Sequence, residues 1–237
     1  MWATNGTAER SSLTIRSRYP TTAARWLAVK NAIGRSESGR GDVLYQVARQ
    51  REYPGWGYMV SQGATTIWEG WGMGTTWQAG IDGGSEESMI MWATIDEFFY
   101  GYLAGIEAPS YYGPSNMTPG FKQIHIEPHV VGDLHDAEAS ITTVRGVISS
   151  HWMKQGDSLN LDVVIPANSE AELRIPKGGV KNPVVEEGGN SVWKLGHFMK
   201  GAIGISGASE TGDYIDVRIG SGSYHFILAP AQNGGRL

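Results

Sequence analysis

The spacing of apolar residues changes once along this 237-residue chain, from a helical period to strict alternation. The first helical stretch begins at Asp42 and is predicted to end near Glu52. Its apolar residues recur on one face of a helix: Val43, Leu44, Val47 and Ala48. Asp42 suits the helix N-terminus, where free N–H groups favour a carboxylate. Pro54 and Gly55 then break the helix.

A second, longer helix is predicted from Ser85 to Ala104. Ser85 is a good N-cap, and Gly105 is the expected left-handed stop. Apolar residues surround this helix, which indicates burial against several neighbours. Between the two helices, the glycine-rich stretch after Gly63 predicts a short helical or extended piece followed by a loop.

After about residue 115 the period becomes two. Alternating segments are centred on Ile124, Leu161, Leu173, Val217 and Phe226, with Gly/Pro/Asn turns between them. Short strands at this spacing predict an antiparallel β-sandwich. The fold class is therefore α+β and multidomain: helices first, then an all-β domain. A helical piece of this size cannot bury such helices alone, so it is expected to belong to a larger helical domain.

The first 38 residues show no clear apolar period and are the most basic part of an acidic chain. They are left unassigned, as either a disordered or a mistranslated segment. A transit-like or DNA-contacting arm is the less favoured interpretation.

Composition and charge argue against several classes of partner and cofactor. A net charge of −5 and a pI near 5.7 argue against nucleic acid or an anionic membrane as partner. Cysteine is absent, which excludes disulfides and thiolate sites. His125, His129 and His135 have irregular spacing for a structural zinc site, so neither a metal nor a cofactor is expected. No apolar run reaches membrane length and no signal peptide is visible, so the default compartment is the cytoplasm, although the true one is unknown.

Several stretches, in order, resemble one family. They are REYPGWGYMVSQGATTIWEGW (Arg51–Trp71), FFYGYLAGI (Phe98–Ile106), PGFKQIHIEPHV (Pro119–Val130), VRGVISSHW (Val144–Trp152) and LDVVIPANSEAELRIP (Leu161–Pro176). Together they resemble bacterial α-L-rhamnosidases of glycoside hydrolase family 78, over roughly residues 39–230. The resemblance implies that residues 39–112 are the last helices of an (α/α)6 six-hairpin barrel. It also implies that residues 117–230 are the C-terminal β-sandwich domain.

The resemblance also implies a chemistry, the inverting hydrolysis of terminal α-L-rhamnosyl groups from glycosides or polysaccharides. Inversion uses one carboxyl as general acid and another as general base. The family's base maps to Glu69, flanked by Trp68 and Trp71 as candidate sugar contacts, with Trp71 preferred. The acid lies in the N-terminal barrel half, which these residues do not include, so the chain alone is expected to be inactive or nearly so. The sequence departs from the family at Gly70 and at Ser88-Met89, where the family often has Arg and Asn-His.

Two other hypotheses stay open. The β-domain could be a non-catalytic carbohydrate-binding module that stacks sugar on Trp152 or Trp193. Alternatively, the chain could be a gene remnant without a selected activity.

Overall fold

The computed structural model describes residues 11–17, 41–53, 55–68, 95–107 and 120–231. These residues divide between two compact units, Ala24–Phe98 and a second unit made of Met1–Ala23 with Phe99–Leu237. The first holds the described helices α1 to α3, and the second holds the strands. In the described residues, no helix combines the length and the apolar character needed to cross a bilayer.

The helical unit contains α1 (Gly41–Arg49), α2 (Trp56–Ser61) and the short α3 (Ile95–Glu97). The helix predicted from Asp42 is present and ends at Arg49, three residues before the predicted end. Asp42 lies in its first turn and Arg49 in its last, which complements the helix dipole at both ends. The buried apolar side chains of this unit are Tyr45, Trp56, Met59, Trp68, Ile95 and Phe98.

The helix predicted over Ser85–Ala104 is described only from Ile95 onwards. After α3 the backbone widens into a π-helical segment, Phe98–Leu103. The predicted stop at Gly105 is confirmed, because this residue is left-handed with φ 81°. A Cβ on Gly105 would lie 2.2 Å from the backbone nitrogen of Pro128, so the close approach of the two backbones also requires glycine here.

The described residues of this second unit, the β-unit, form twelve strands. They are β1 Ser11–Ser17, β2 Gln123–Ile126, β3 Leu134–Thr143, β4 Gly146–Gln155, β5 Ser158–Ile165, β6 Glu170–Pro176, β7 Pro183–Glu187, β8 Asn190–Lys194, β9 His197–Phe198, β10 Ile205–Thr211, β11 Tyr214–Ile219 and β12 Gly222–Pro230. One sheet has eight strands in the order β1-β3-β4-β5-β12-β7-β8-β9, and the other has four in the order β10-β11-β6-β2. Every neighbouring pair is antiparallel except β1 with β3 and β2 with β6.

Alternation explains the core of the β-unit. In β5, for example, Leu159, Leu161, Val163 and Ile165 are all buried while the residues between them are not. The inward side chains of β6 and β11 are likewise buried, with Leu173, Ile175 and Val217 at 0% exposure. The predicted α+β architecture, with helices followed by a two-sheet β-domain, is confirmed.

Two features escaped the sequence analysis. The inward positions of β3 include Ala137 and Ala139, and those of β4 include Ser150, so small residues conceal the apolar alternation. The unassigned N-terminal region also contributes β1, which pairs in parallel with β3 at the edge of the larger sheet. Leu13 and Ile15 alternate with Thr14 and Arg16 in this segment, a short period-two signal.

Candidate functional site

The candidate site follows directly on the end of α2. Gly63, with φ 85°, is the first residue beyond the helix cap. Its N–H donates to the Val60 carbonyl at 3.0 Å, and the Ala64 N–H donates to the Met59 carbonyl at 3.0 Å. This pair of bonds is a Schellman motif, which a left-handed glycine accommodates. The glycine of the GATTIWE stretch therefore ends the helix and redirects the chain towards Trp68.

Another glycine holds the two helices of this region close together. A Cβ on Gly57 would lie 2.5 Å from the carbonyl oxygen of Gln50 and 2.9 Å from that of Arg49. Because both contacts are with backbone, no side-chain movement could relieve them. Gly57 thus allows α2 to approach the end of α1, which explains the glycine between Trp56 and Tyr58 in the quoted stretch.

Of the three predicted site residues, the structure describes Trp68. Its ring is buried, at 6% exposure, which suits the packing role that the sequence allowed for one of the two tryptophans. Glu69 and Trp71 lie outside the described residues. Their roles as general base and sugar contact therefore stay predictions.

The two tryptophans suggested as sugar-stacking platforms in the β-domain are both buried. Trp152 is 0% exposed and Trp193 is 6% exposed, so neither presents a ring face to a sugar. In this respect the structure corrects the sequence hypothesis. Trp152 lies on the inward row of β4, whose burial alternates along the strand.

Trp152 instead holds the end of the π-helical segment. Its indole Nε1–H donates to the carbonyl of Leu103 at 2.7 Å, and the buried Ser150 hydroxyl donates to the carbonyl of Ala104 at 2.7 Å. The last carbonyls of a helix have no partner within the helix. These two strand side chains supply that partner where no water can reach it.

The same helix end contacts a cluster of polar residues centred on His129. The His129 ring stacks on Tyr102 with centroids 3.8 Å apart. Its Nδ1–H lies 3.2 Å from the Tyr102 carbonyl and 3.0 Å from the Glu127 carbonyl, which fixes the proton on that nitrogen. Burial lowers the pKa of His129, and the neighbouring Glu127 carboxylate opposes this shift. The histidine tempting as a metal ligand is therefore a neutral structural group.

An arginine completes the cluster. Arg174 donates from Nη1 to Glu127 at 2.7 Å and from Nε to Asp216 at 3.0 Å. Its guanidinium lies 4.4 Å from the centre of the Tyr214 ring, within the range of a cation–π contact. Burial first, and then the Glu127 carboxylate, raise the pKa of Tyr214 to about 12. All the charges are paired, so the cluster links the end of the helix to β6 and β11 and leaves no group poised for proton transfer.

Three other histidines lie close to carboxylates, and His151 lies between two, 3.8 Å from Asp136 and 3.9 Å from Asp162. The pairs include His125 with Glu172 at 3.7 Å and His225 with Asp162 at 2.6 Å. Within the described parts of the chain, no three His, Asp or Glu side chains converge as a metal site would require.

Comparison with known proteins now defines the class. The sequence model for the bacterial α-L-rhamnosidase 6 hairpin glycosidase domain matches residues 32–103. That for the bacterial α-L-rhamnosidase C-terminal domain matches residues 113–190. The two matches follow each other as the helices and strands do in the structure. A helical segment followed by a β-domain is thus the order of these two α-L-rhamnosidase domains.

Curated relatives point to the same family. The chain is 34% identical over 142 residues to an α-L-rhamnosidase of Formosa agariphila, covering 59% of this chain and 14% of the relative. It is 29% identical over 147 residues to one from Streptomyces avermitilis, covering 60% of this chain and 13% of that protein. The chain thus spans about 14% of the length of these relatives.

Solved structures agree. An α-L-rhamnosidase from Dictyoglumus thermophilum superposes with a TM-score of 0.65 at 34% identity, over 82% of this chain and 19% of that one. The Streptomyces avermitilis α-L-rhamnosidase, crystallised with L-rhamnose, gives a TM-score of 0.60 at 25% identity, over 81% and 16%. The chain belongs to the bacterial α-L-rhamnosidases of glycoside hydrolase family 78 and corresponds to their C-terminal portion.

Proposed function

We propose that these residues form the C-terminal part of an inverting α-L-rhamnosidase, in which Glu69 is the general base. The observation that carries this is the position of the GATTIWE stretch inside the match to the 6 hairpin glycosidase domain. The ordered Schellman turn at Gly63 and the buried Trp68 lead the chain into Glu69.

In the proposed mechanism, Glu69 takes a proton from a water that attacks the anomeric carbon. A carboxylic acid on the opposite side of the ring protonates the leaving oxygen, and the two carboxyl groups stand roughly 6.5–9.5 Å apart to admit the water. Trp71 is the proposed sugar contact, whereas Trp68 is buried. The substrates are rhamnose-containing glycosides or polysaccharides.

The acid partner is proposed to lie in the barrel half that precedes residue 39 in full-length relatives. General acid–base groups typically contribute about 10²–10⁴-fold each to the rate. We therefore propose that the 237 residues by themselves turn over little or no substrate, and that the preceding barrel half is their functional partner.

The test is nitrophenol release from an aryl α-L-rhamnoside. The chain is assayed alone and fused behind the preceding barrel portion of a family member. Activity is expected only in the fusion, with a fall of at least about 10²-fold in Glu69→Gln. Proton NMR of the first product should show β-L-rhamnose, the inverted anomer.

Glu186→Gln is the matched control, because Glu186 lies on β7 in the β-domain. Full activity of a Glu69→Gln fusion, or α-L-rhamnose as first product, would refute the assigned base or the inverting course. Robust turnover by the chain alone that Glu69→Gln abolishes would refute the proposed inactivity.

A further inference from the structure

The four-stranded sheet carries a groove of about 700 Å³ on its outer face. The groove crosses all four strands and is bordered by residues 123–125 of β2, 170–172 of β6, 218–220 around the end of β11 and 204–206 around the start of β10. Small-molecule sites usually measure roughly 300–1,000 Å³. This groove therefore has room for a ligand the size of one or two sugar rings.

The floor of the groove is backbone. Strand register aligns Ile124 with Ala171, Ala171 with Ile219, and Ile219 with Ile205. The side chains of Ile124, Ala171 and Ile219 are buried in the core, at 1%, 5% and 2% exposure. Because these three side chains point into the core, the outer face of the sheet carries no side chain along this row. The groove lies there, between the two neighbouring rows whose side chains point outward.

One side of the groove is a row of three polar side chains. His125, Glu172 and Arg218 occupy directly opposite positions on β2, β6 and β11. His125 Nε2 lies 3.7 Å from Glu172 Oε2. The Arg218 guanidinium extends over Gly207, since a Cβ there would lie 2.6 Å from Nη2. This side offers both hydrogen-bond donors and an acceptor to the groove.

The other side of the groove has polar side chains at one end and two glycines, which have no side chain, at the other. Gln123 pairs with Glu170 across β2 and β6, and the row continues through Gly220 and Gly204. The Gly220 N–H donates to the Gly204 carbonyl at 2.9 Å, and the Tyr224 hydroxyl donates to the Gly220 carbonyl at 3.1 Å. The glycine end is thus fixed by hydrogen bonds. A Cβ on Gly220 would meet only the Gly204 oxygen, at 3.8 Å, so space remains above it.

We infer that this groove binds a neutral, hydroxyl-rich ligand, a saccharide unit. Hydroxyl groups both donate and accept, and the two carboxylates, the amide of Gln123 and the guanidinium of Arg218 match both roles. Glu170 and Glu172 face a single arginine, so their negative charge disfavours an anionic ligand. Among the described residues no aromatic ring lines the groove, so recognition there is through hydrogen bonds and not through stacking.

The experiment measures ligand binding to the whole chain by saturation-transfer NMR and calorimetry. The probes are L-rhamnose, methyl glucoside, glucuronate and Ca²⁺. A neutral sugar is expected to bind with a dissociation constant on the order of 1 mM, a typical affinity scale for so small a ligand. Gly220→Val, which fills the open end, and Glu172→Gln, which removes the central acceptor, should each weaken binding at least about tenfold.

Matched controls separate this site from general damage. Ser223→Val adds a branched apolar residue at an exposed position of the other sheet, and Glu186→Gln neutralises a carboxylate there. Both should bind as the parent does. Unfolding curves confirm which variants fold, and Glu172→Gln decides the outcome if Gly220→Val does not.

Three results would overturn the proposal. They are no saturation by either neutral sugar up to about 100 mM, two decades above the expected constant; binding of Ca²⁺ or glucuronate alone; or sugar binding that survives both groove variants. Loss of binding in Glu69→Gln would assign the sugar to the proposed catalytic stretch instead. Because the groove assay involves no hydrolysis, its failure leaves the proposed rhamnosidase chemistry untouched.

Discussion

Replacing Trp152 with phenylalanine removes one buried hydrogen bond while keeping an aromatic ring in the core. In the structure, the indole Nε1–H donates to the Leu103 carbonyl at 2.7 Å, and Trp152 is 0% exposed. Phenylalanine leaves that carbonyl without its donor in a place that water does not reach. An unsatisfied buried polar group costs about 1–3 kcal/mol.

Trp193→Phe is the matched control. Trp193 is nearly as buried, at 6% exposure, and its indole makes no hydrogen bond to the described residues. Both substitutions shrink the ring by the same atoms, so the difference between them isolates the hydrogen bond. We expect Trp152→Phe to lower the free energy of unfolding by about 1–3 kcal/mol more than Trp193→Phe.

Urea denaturation followed by near-UV circular dichroism measures this difference. With a slope of about 1–3 kcal/mol per molar urea, a difference of 2 kcal/mol moves the midpoint by roughly 1 M. If the two variants lose the same stability within about 0.5 kcal/mol, the hydrogen bond to Leu103 does not stabilise the helix end, and the reasoning is refuted.

Three further predictions concern the polar cluster and the helices. Burial lowers the pKa of His129, so the unfolded state takes up its proton first, near pH 6.5. The stability that neutral His129 provides is therefore complete above pH 6.5 and is lost as the pH falls below it. The His129→Gln variant should lose less stability than the parent between pH 7.5 and pH 5, measured by urea titration at both pH values. Tyr214 has a pKa raised to about 12, so the native state holds this proton while the unfolded state releases it near pH 10. Stability should fall as the pH rises from 10 to 12, and Tyr214→Phe should lose less over that range in the same assay; an equal loss would contradict the assignment. Gly57→Ala places a Cβ 2.5 Å from the Gln50 carbonyl and should cost the helical unit about 1–3 kcal/mol, whereas Val60→Ala on the same helix, at a position 55% exposed, should stay within about 0.5 kcal/mol in thermal melts at 222 nm.

The cluster around His129 shows why some structural groups escape sequence reasoning. Tyr102, Glu127, Arg174 and Tyr214 are far apart along the chain and share no motif. Strand pairing between β6 and β11 places Arg174 beside Asp216, and the helix end brings Tyr102 onto His129. The irregular spacing of the histidines argued against a metal ligand at His129 but could not identify its partners, which are two backbone carbonyls, the Tyr102 ring and the Glu127 carboxylate.

The groove is a second feature that could not be predicted from the sequence. Its floor depends on the register that aligns Ile124, Ala171 and Ile219, and its open end depends on Gly204 and Gly220 meeting. Gly201 and Gly204 lie in the turn that precedes β10. The sequence alone could not show that Gly204 lies beside Gly220, because the chain separates them by a complete hairpin.

The sequence by itself determined the order of a helical part and a β-part, the five strands β2, β5, β6, β11 and β12, and the family. Local physics explains this: a period of 3.6 or 2 places apolar residues on one face, and glycine permits left-handed stops such as Gly63 and Gly105. Tertiary structure alone decided that Trp152 is an internal hydrogen-bond donor and not a sugar platform. It also decided that β3 and β4 form strands although several of their inward residues are small. The parallel pairing of Ser11–Ser17 with β3 was likewise decided by the tertiary structure. These outcomes depend on which strands become neighbours, and pairing between distant segments has no local signature in the chain.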